Sequence, residues 1–311
     1  MWAPRQGRAL PPAEDKKPGS MDHAEPAFGT SDVVSVRLPT GDPAPVVFDS
    51  PHSGTVRPSD FDTIVPPEML RRSEDMFVDE LFSTVPDAGG VLIAAQFPRA
   101  YIDPNRALKD LDQRLLNAPW PEPLKPGDKS RMGHGLVWRV CPPDLPMYDR
   151  RLSPKEVARR IETYWRPYHL CMGQAIDRLH QDFGAVWHLN CHSMPASAPA
   201  QAGAVNGHRF VDFVLGDRDG TTCERGFAAL VAETLRGFGY RVTINDPYKG
   251  VELVRAFSAP AAGRHSLQIE INRGLYMNEV TFERSDGFTA LREDLARLAD
   301  AICQYARAET T

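Results

Sequence analysis

The strongest constraint on how this chain can fold is an alternation along its length. Short apolar runs that end in turn or polar residues trade places with longer stretches of helical period. The runs are VVSVRL at 33–38, PVVFDS at 45–50, GGVLIAAQF at 89–97, AVWHLNCH at 185–192, DFVLGD at 212–217, YRVTIND at 240–246 and HSLQIEINR at 265–273. Their length and turn-rich ends predict strands. Between them, Ser153 and Glu156 form an S-x-x-E capping box around Pro154. That box predicts a helix running to about Phe183 and stopped by Gly184. Further helices are expected over about Cys223 to Phe238, closed by Gly239, and over about Gly287 to Ala306. In the last, Phe288, Leu291, Leu295, Leu298 and Ile302 form a stripe at helical spacing, the pattern of a core-facing helix. Strands alternating with helices argue for an α/β fold with a mixed, mostly parallel central sheet and helices on both faces. In such sheets functional groups collect beyond the carboxyl ends of strands.

Composition narrows the class of protein. The 311 residues are 42% hydrophobic and 25% charged, which suits a folded enzyme rather than a disordered chain. A net charge of −5 argues against a nucleic-acid surface, which would show as a basic domain or stripe. Five scattered cysteines, odd in number and never spaced as C-x-x-C, suit reduced thiols and a cytoplasmic location. No apolar run is long enough to span a bilayer, and no secretory signal is evident. Residues 1–28 are rich in Pro, Gly, Ala and charge without hydrophobic period, and are expected to be a disordered extension or sequence upstream of a start at Met21. Residues 29–311 are expected to form a single α/β domain.

Four polar groups stand where strands give way to loops. FDSPHSG at 48–54 puts His52 just past a strand, and YIDPNRAL at 101–108 puts Asp103, Asn105 and Arg106 after an apolar run. WHLNCHSMP at 187–195 carries His188 and His192 on one strand, and QIEINRGLY at 268–276 sets Glu270 between two isoleucines. Each has an ordinary alternative: a hydrogen-bonded structural histidine, a solvent-facing carboxylate on an edge strand, an Asn-Arg pair that caps a strand. A carboxylate inside a central strand, however, needs a partner or a metal. Two histidines and carboxylates from distant segments are what a catalytic zinc requires, with three protein ligands and an open position. A carboxylate ligand is sought in RRSEDMFVDEL at 71–81, where Asp75 and Asp79 would share one face of an expected helix and Glu74 is the rival. Acidic residues on a helix are more often simply solvated.

These segments, with GHGLVWR, NDPYKG and LQIEINRGLYMNE, resemble the N-formylglutamate amidohydrolase family over about residues 33–303. That family is in turn similar to zinc carboxypeptidases (the phosphorylase/hydrolase-like architecture) and aspartoacylase-type deacylases. The resemblance implies zinc held by His52 and His192, with Glu270 as general base; Asp75, ahead of Glu74, is taken as the third ligand. The relatives' H-x-x-E pattern is not kept, because Thr55 occupies its acidic position. DPNR at 103–106 looks like their DLNR element, which implies substrate contact for Asn105 and Arg106, with Arg106 also sharing the developing oxyanion. Arg139 and Lys249 are further candidates for the substrate's carboxylates. The implied reaction is hydrolysis of N-formyl-L-glutamate to formate and L-glutamate in histidine degradation, with no nucleic-acid or membrane partner. Three rivals stay open: a zinc deacylase or carboxypeptidase acting on another N-acyl amino acid, a Cys191–His192 hydrolase, and an inactive metal- or amino-acid-binding protein.

Overall fold

The computed structural model describes residues 31–196 and 211–310; the expected extension over 1–28 lies outside them. Among the described residues nine strands form: β1 Val34–Arg37, β2 Val46–Ser50, β3 Val91–Ala95, β4 Val140–Cys141, β5 Leu145–Pro146, β6 Val186–Met194, β7 Phe213–Gly216, β8 Val242–Ile244 and β9 Arg264–Asn272. Seven of them make one sheet in the order β1-β3-β2-β6-β9-β7-β8, while β4 and β5 pair separately. Strands β3, β2, β6 and β9 run parallel to one another; β1 and the β7–β8 pair run the other way. The sheet is therefore mixed and mostly parallel, as the alternation predicted.

Side-chain alternation divides the sheet into two unlike faces. On one face Val46 and Phe48 of β2, Trp187, Leu189 and Cys191 of β6, and Leu267, Ile269 and Ile271 of β9 enter an apolar core. That core is closed by helices Arg225–Gly237 and Gly287–Glu309, whose Leu291, Leu295, Leu298 and Ile302 are all buried. The intervening residues of the same strands, apart from Val47, are polar: Asp49; His188, Asn190 and His192; Ser266, Gln268 and Glu270. They are buried too, beneath helix Arg166–Phe183 and the loops on that side. That helix places Tyr168, Met172, Ile176 and Leu179 in a second core.

The capping box at Ser153 forms in full, and the helical run ends at Gly184 in the left-handed region (φ 82°). It is not uniform: helix Pro154–Arg160 passes through a π turn, Ile161–Trp165, before Arg166–Phe183. Pro167 explains the break, since proline has no N–H for the helical ladder. The helix expected over 71–81 does not form. Arg71–Ser73 is a single 3₁₀ turn, Glu74 is extended, and Phe77 takes a left-handed φ of 65° before the short helix Val78–Leu81. Asp75 and Asp79 thus share no helical face. The sequence period was carried by residues that the chain folds into a bend against the loop after β2.

Gly54 lets that loop approach β3. A Cβ there would run into the Gln96 and Phe97 backbone, where Val56 N donates to Gln96 O at 2.7 Å. We expect Gly54→Ala to destabilise the protein by roughly 1–3 kcal/mol, because backbone cannot yield as a side-chain tip can. Denaturant unfolding checks this; wild-type stability in the variant would show that the loop has slack.

Candidate metal centre

His52 lies two residues past β2 and is 1% exposed. The loop that carries it is tied to the 74–77 bend from both sides. Asp75 N donates to His52 O at 3.0 Å, and Ser53 Oγ donates to Asp75 O at 3.1 Å. Strand β6 delivers His192 to the same place. Asp75 Oδ2 is 3.1 Å from His52 Nδ1 and 3.0 Å from His192 Nδ1. One ligand atom from each of His52, Asp75 and His192 lies within 4.8 Å of the others, all three residues buried.

The outer contacts decide what these atoms present. His52 Nε2 is 2.8 Å from Asp103 Oδ1, and His192 Nε2 is 2.7 Å from Asn190 Oδ1. A neutral imidazole carries one proton, so with a cation on Nδ1 each ring keeps its proton on Nε2, against an oxygen able to accept it, and without one Nδ1 can donate to Asp75. Burial pushes His192 down to about 4, although Asp75 works the other way. Two imidazole nitrogens and a carboxylate oxygen converging in a buried pocket can hold a cation between them, and a histidine backed by a carboxylate or carbonyl is the usual companion of a bound metal. The donor set of two imidazoles and a carboxylate therefore fits a divalent ion. Asp75 Oδ1 turns away, to Arg273 at 3.1 Å and Arg99 at 3.5 Å. Burial opposes ionisation of Asp75, but hydrogen bonds from His192 and His52 and the charge of Arg99 hold it well below its ordinary value. Asp103 is likewise held down, against its burial, by Arg99, His52 and Arg106.

Glu270 stands directly across from His192 in the β6–β9 register and is 9% exposed. Because β9 lies between β6 and β7, the solvent-facing edge-strand alternative is excluded. Gln268 Nε2 donates to Glu270 Oε1 at 2.9 Å. Burial, then the Asp75 charge, raises Glu270 to about 8, while Arg99, Arg273 and Lys129 pull in the opposite direction.

The remaining expected residues fall in different places. Asn105 is buried with both ends of its amide engaged: Oδ1 accepts from Leu253 N at 2.9 Å, and Nδ2 is 3.0 Å from His192 Nε2. Arg106 donates to His134 O at 3.2 Å and Asn105 O at 2.9 Å, which leaves part of its guanidinium uncommitted. Arg139 pairs with Asp112 at 2.9 Å, and Lys249 pairs with Asp219 at 3.0 Å near the surface. Glu74 faces Arg71 at 3.4 Å rather than the histidines. His188 bonds Asp49 and Ser266, as a structural histidine would. Cys191 points to the opposite, apolar face, where burial pushes its thiol well above the ordinary value; this removes the Cys191–His192 pair as a nucleophile and base. Sequence reasoning missed Arg99, Arg273 and Asn190. Their signals were present: Arg99 precedes Asp103 by four residues, Arg273 follows β9 directly, and Asn190 lies midway between the two β6 histidines.

A parallel sheet that converges two imidazoles and a carboxylate at its carboxyl edge, beside another buried carboxylate, has the layout of a hydrolase able to hold a metal ion. The chain belongs to the N-formylglutamate amidohydrolase family, whose sequence model matches residues 44–277. It is similar to the N-formylglutamate deformylase of Pseudomonas putida, with 28% identity over 271 residues covering 83% of this chain and 89% of the relative. The N-formylglutamate deformylase of Pseudomonas aeruginosa is 25% identical over 271 residues, covering 85% and 94%. Among solved structures, N-formylglutamate amidohydrolase from Ralstonia eutropha JMP134 superposes with a TM-score of 0.86 at 51% identity, covering 90% of this chain and all of that one. Among the described residues, no helix is long and apolar enough to cross a membrane.

The raised Glu270 gives the metal-free chain a defined pH response. Its protonated form is favoured by folding, so its contribution is complete below about 4.5 and is lost as pH rises through about 8. Thermal unfolding of chelator-treated protein should show the wild-type midpoint falling across that window relative to Glu270→Gln. Parallel curves would show that Glu270 is not the titrating group.

Proposed function

We propose that this chain hydrolyses N-formyl-L-glutamate to formate and L-glutamate, with a divalent ion, zinc first, held by His52, Asp75 and His192. The observation that carries the reading is the convergence of those three ligand atoms, buried and mutually within 4.8 Å, with Glu270 across the strand from His192. Two nitrogens and one oxygen from three side chains match the ligand count of catalytic zinc sites, where one position stays open. When bound, such an ion acidifies water toward a pKa of about 7 and polarises a carbonyl.

The protein's own groups supply the rest. Glu270 takes a proton from the attacking water and passes it to the leaving nitrogen, so that the C–N bond breaks as formate forms. A carboxyl raised by burial holds that proton readily, and Arg99 and Arg273 beside Asp75 keep the pocket's charge balanced. Arg106 retains donors for an oxyanion or a substrate carboxylate. With Arg139 and Lys249 committed elsewhere, Lys129 is the next cation for the dicarboxylate substrate. It is exposed on the short helix Asp128–Arg131, and its field reaches Glu270, Arg106 and Arg99.

Zinc-loaded protein should release formate from N-formyl-L-glutamate, and chelator-stripped protein should not. Glu270→Gln should lower kcat by about 10²- to 10⁴-fold. No turnover by folded, loaded protein would overturn the assignment and direct attention to other N-acyl amino acids. Lys129→Ala should raise KM roughly tenfold with kcat nearly unchanged, as expected for an interaction made equally in ground and transition states. An unchanged KM would exclude Lys129 from the substrate's contacts.

A further inference from the structure

On the polar face of the sheet, one buried amide contributes poorly to stability. Gln268 is 2% exposed, and register places it between Asn190 of β6 and Gly216 of β7. Residues two apart on a strand share a face, so its side chain runs beside that of Glu270. Gln268 Nε2 donates to Glu270 Oε1 at 2.9 Å. Gln268 Oε1 is buried and has no hydrogen-bond partner among the described residues. An unpaired buried carbonyl destabilises a fold, and a methionine of similar length would carry no such oxygen. Folding alone therefore gives no reason for a glutamine here. The reason lies in the one hydrogen bond its side chain makes, and that bond goes to Glu270.

The bond makes the two oxygens of Glu270 unequal. Oε1 is held by Gln268, while Oε2 accepts from none of the described residues. A carboxylate ready to take a proton has no hydrogen to offer, so Gln268 must keep its NH₂ turned toward it. The terminal torsion of a glutamate is broad and leaves an untethered carboxyl group free to swing. General-base catalysis needs the accepting oxygen within hydrogen-bond reach of the water, and small misplacements cost rate steeply. We propose that Gln268 is a positioning residue for the hydrolysis: its Nε2 holds Glu270 Oε1 and fixes Oε2 as the oxygen that meets the attacking water. This rests on the reading of Glu270 as general base. The metal centre stands apart from this contact, because the hydrogen bonds of His52, Asp75 and His192 go to other residues.

The test sets activity against stability in one variant of the full chain. Gln268→Met removes the donor and the unpaired oxygen together while keeping the length of the side chain. It should melt no lower than wild type and bind zinc as wild type does. Its kcat for formate release from N-formyl-L-glutamate should fall by about 10- to 100-fold, with KM nearly unchanged. In a Glu270→Gln background the same change should lower kcat no further, because the carboxylate it acts through is gone. The proposal is overturned by a wild-type kcat in Gln268→Met, or by an equal fall in both backgrounds, which a glutamine kept only for folding would give. Should Gln268→Met not fold, Gln268→Leu removes the same donor and carries the same expectations. Failure of the functional reading is separate: metal-loaded wild type would then release no formate. Crystal structures still decide the positioning in that event, since the Glu270 carboxyl group should leave its wild-type place in Gln268→Met, and an unmoved group overturns the proposal.

Discussion

The structure depends on one constraint: the central strands bury a polar face. Asp49, His188, Asn190, His192, Ser266, Gln268 and Glu270 lie on β2, β6 and β9 away from water, and a buried polar group without a partner is costly. The strands supply the partners themselves, because register sets Asp49 against Asn190, His188 against Ser266, and His192 against Glu270. Slipping β6 by one residue would turn its polar residues into the apolar core and its Trp187, Leu189 and Cys191 onto the polar face. Register and site are therefore specified together.

Charge follows the same logic. Asp75 and Asp103 are ionised in a dry interior because Arg99 reaches both and Arg273 reaches Asp75. Those arginines occupy Asp75 Oδ1 and leave Oδ2 to face two imidazole nitrogens. Asp103 and Asn190 set oxygens against the outer nitrogens of the two rings. The inner nitrogens are thereby able to turn lone pairs to an ion beside Asp75, and this arrangement, rather than the presence of histidine as such, makes the pocket suited to a cation. Glu270 sits outside that set and is raised rather than lowered, so the pocket holds one carboxylate that stays ionised and one that keeps its proton toward neutral pH.

Much of this was legible in residue order. The strand alternation gave the sheet; the capping box and Gly184 gave the ends of the long helical run; Glu270 between isoleucines stood out because a carboxylate in a central strand has few ordinary explanations. Asp75 was identified on the wrong ground. A four-residue spacing suggested a helix, whereas the residue sits on a bend held by His52 and Ser53. The period-two polar pattern of β6 was visible as two histidines, yet Asn190 between them was passed over, since an asparagine has no chemistry until its neighbours fix which way its amide points.

The sequence alone determined the α/β class, the family resemblance, and the residue types at the carboxyl ends of the strands, because periodicity and turn chemistry are local. Only the tertiary structure decided which carboxylate faces the histidines, which arginines are committed to it, and which oxygens stand behind the two rings. Asp75 lies 23 residues from His52 and 117 from His192 along the chain. Contacts at that separation are set by how the sheet stacks its strands and where the loops fold back, and no local pattern encodes them.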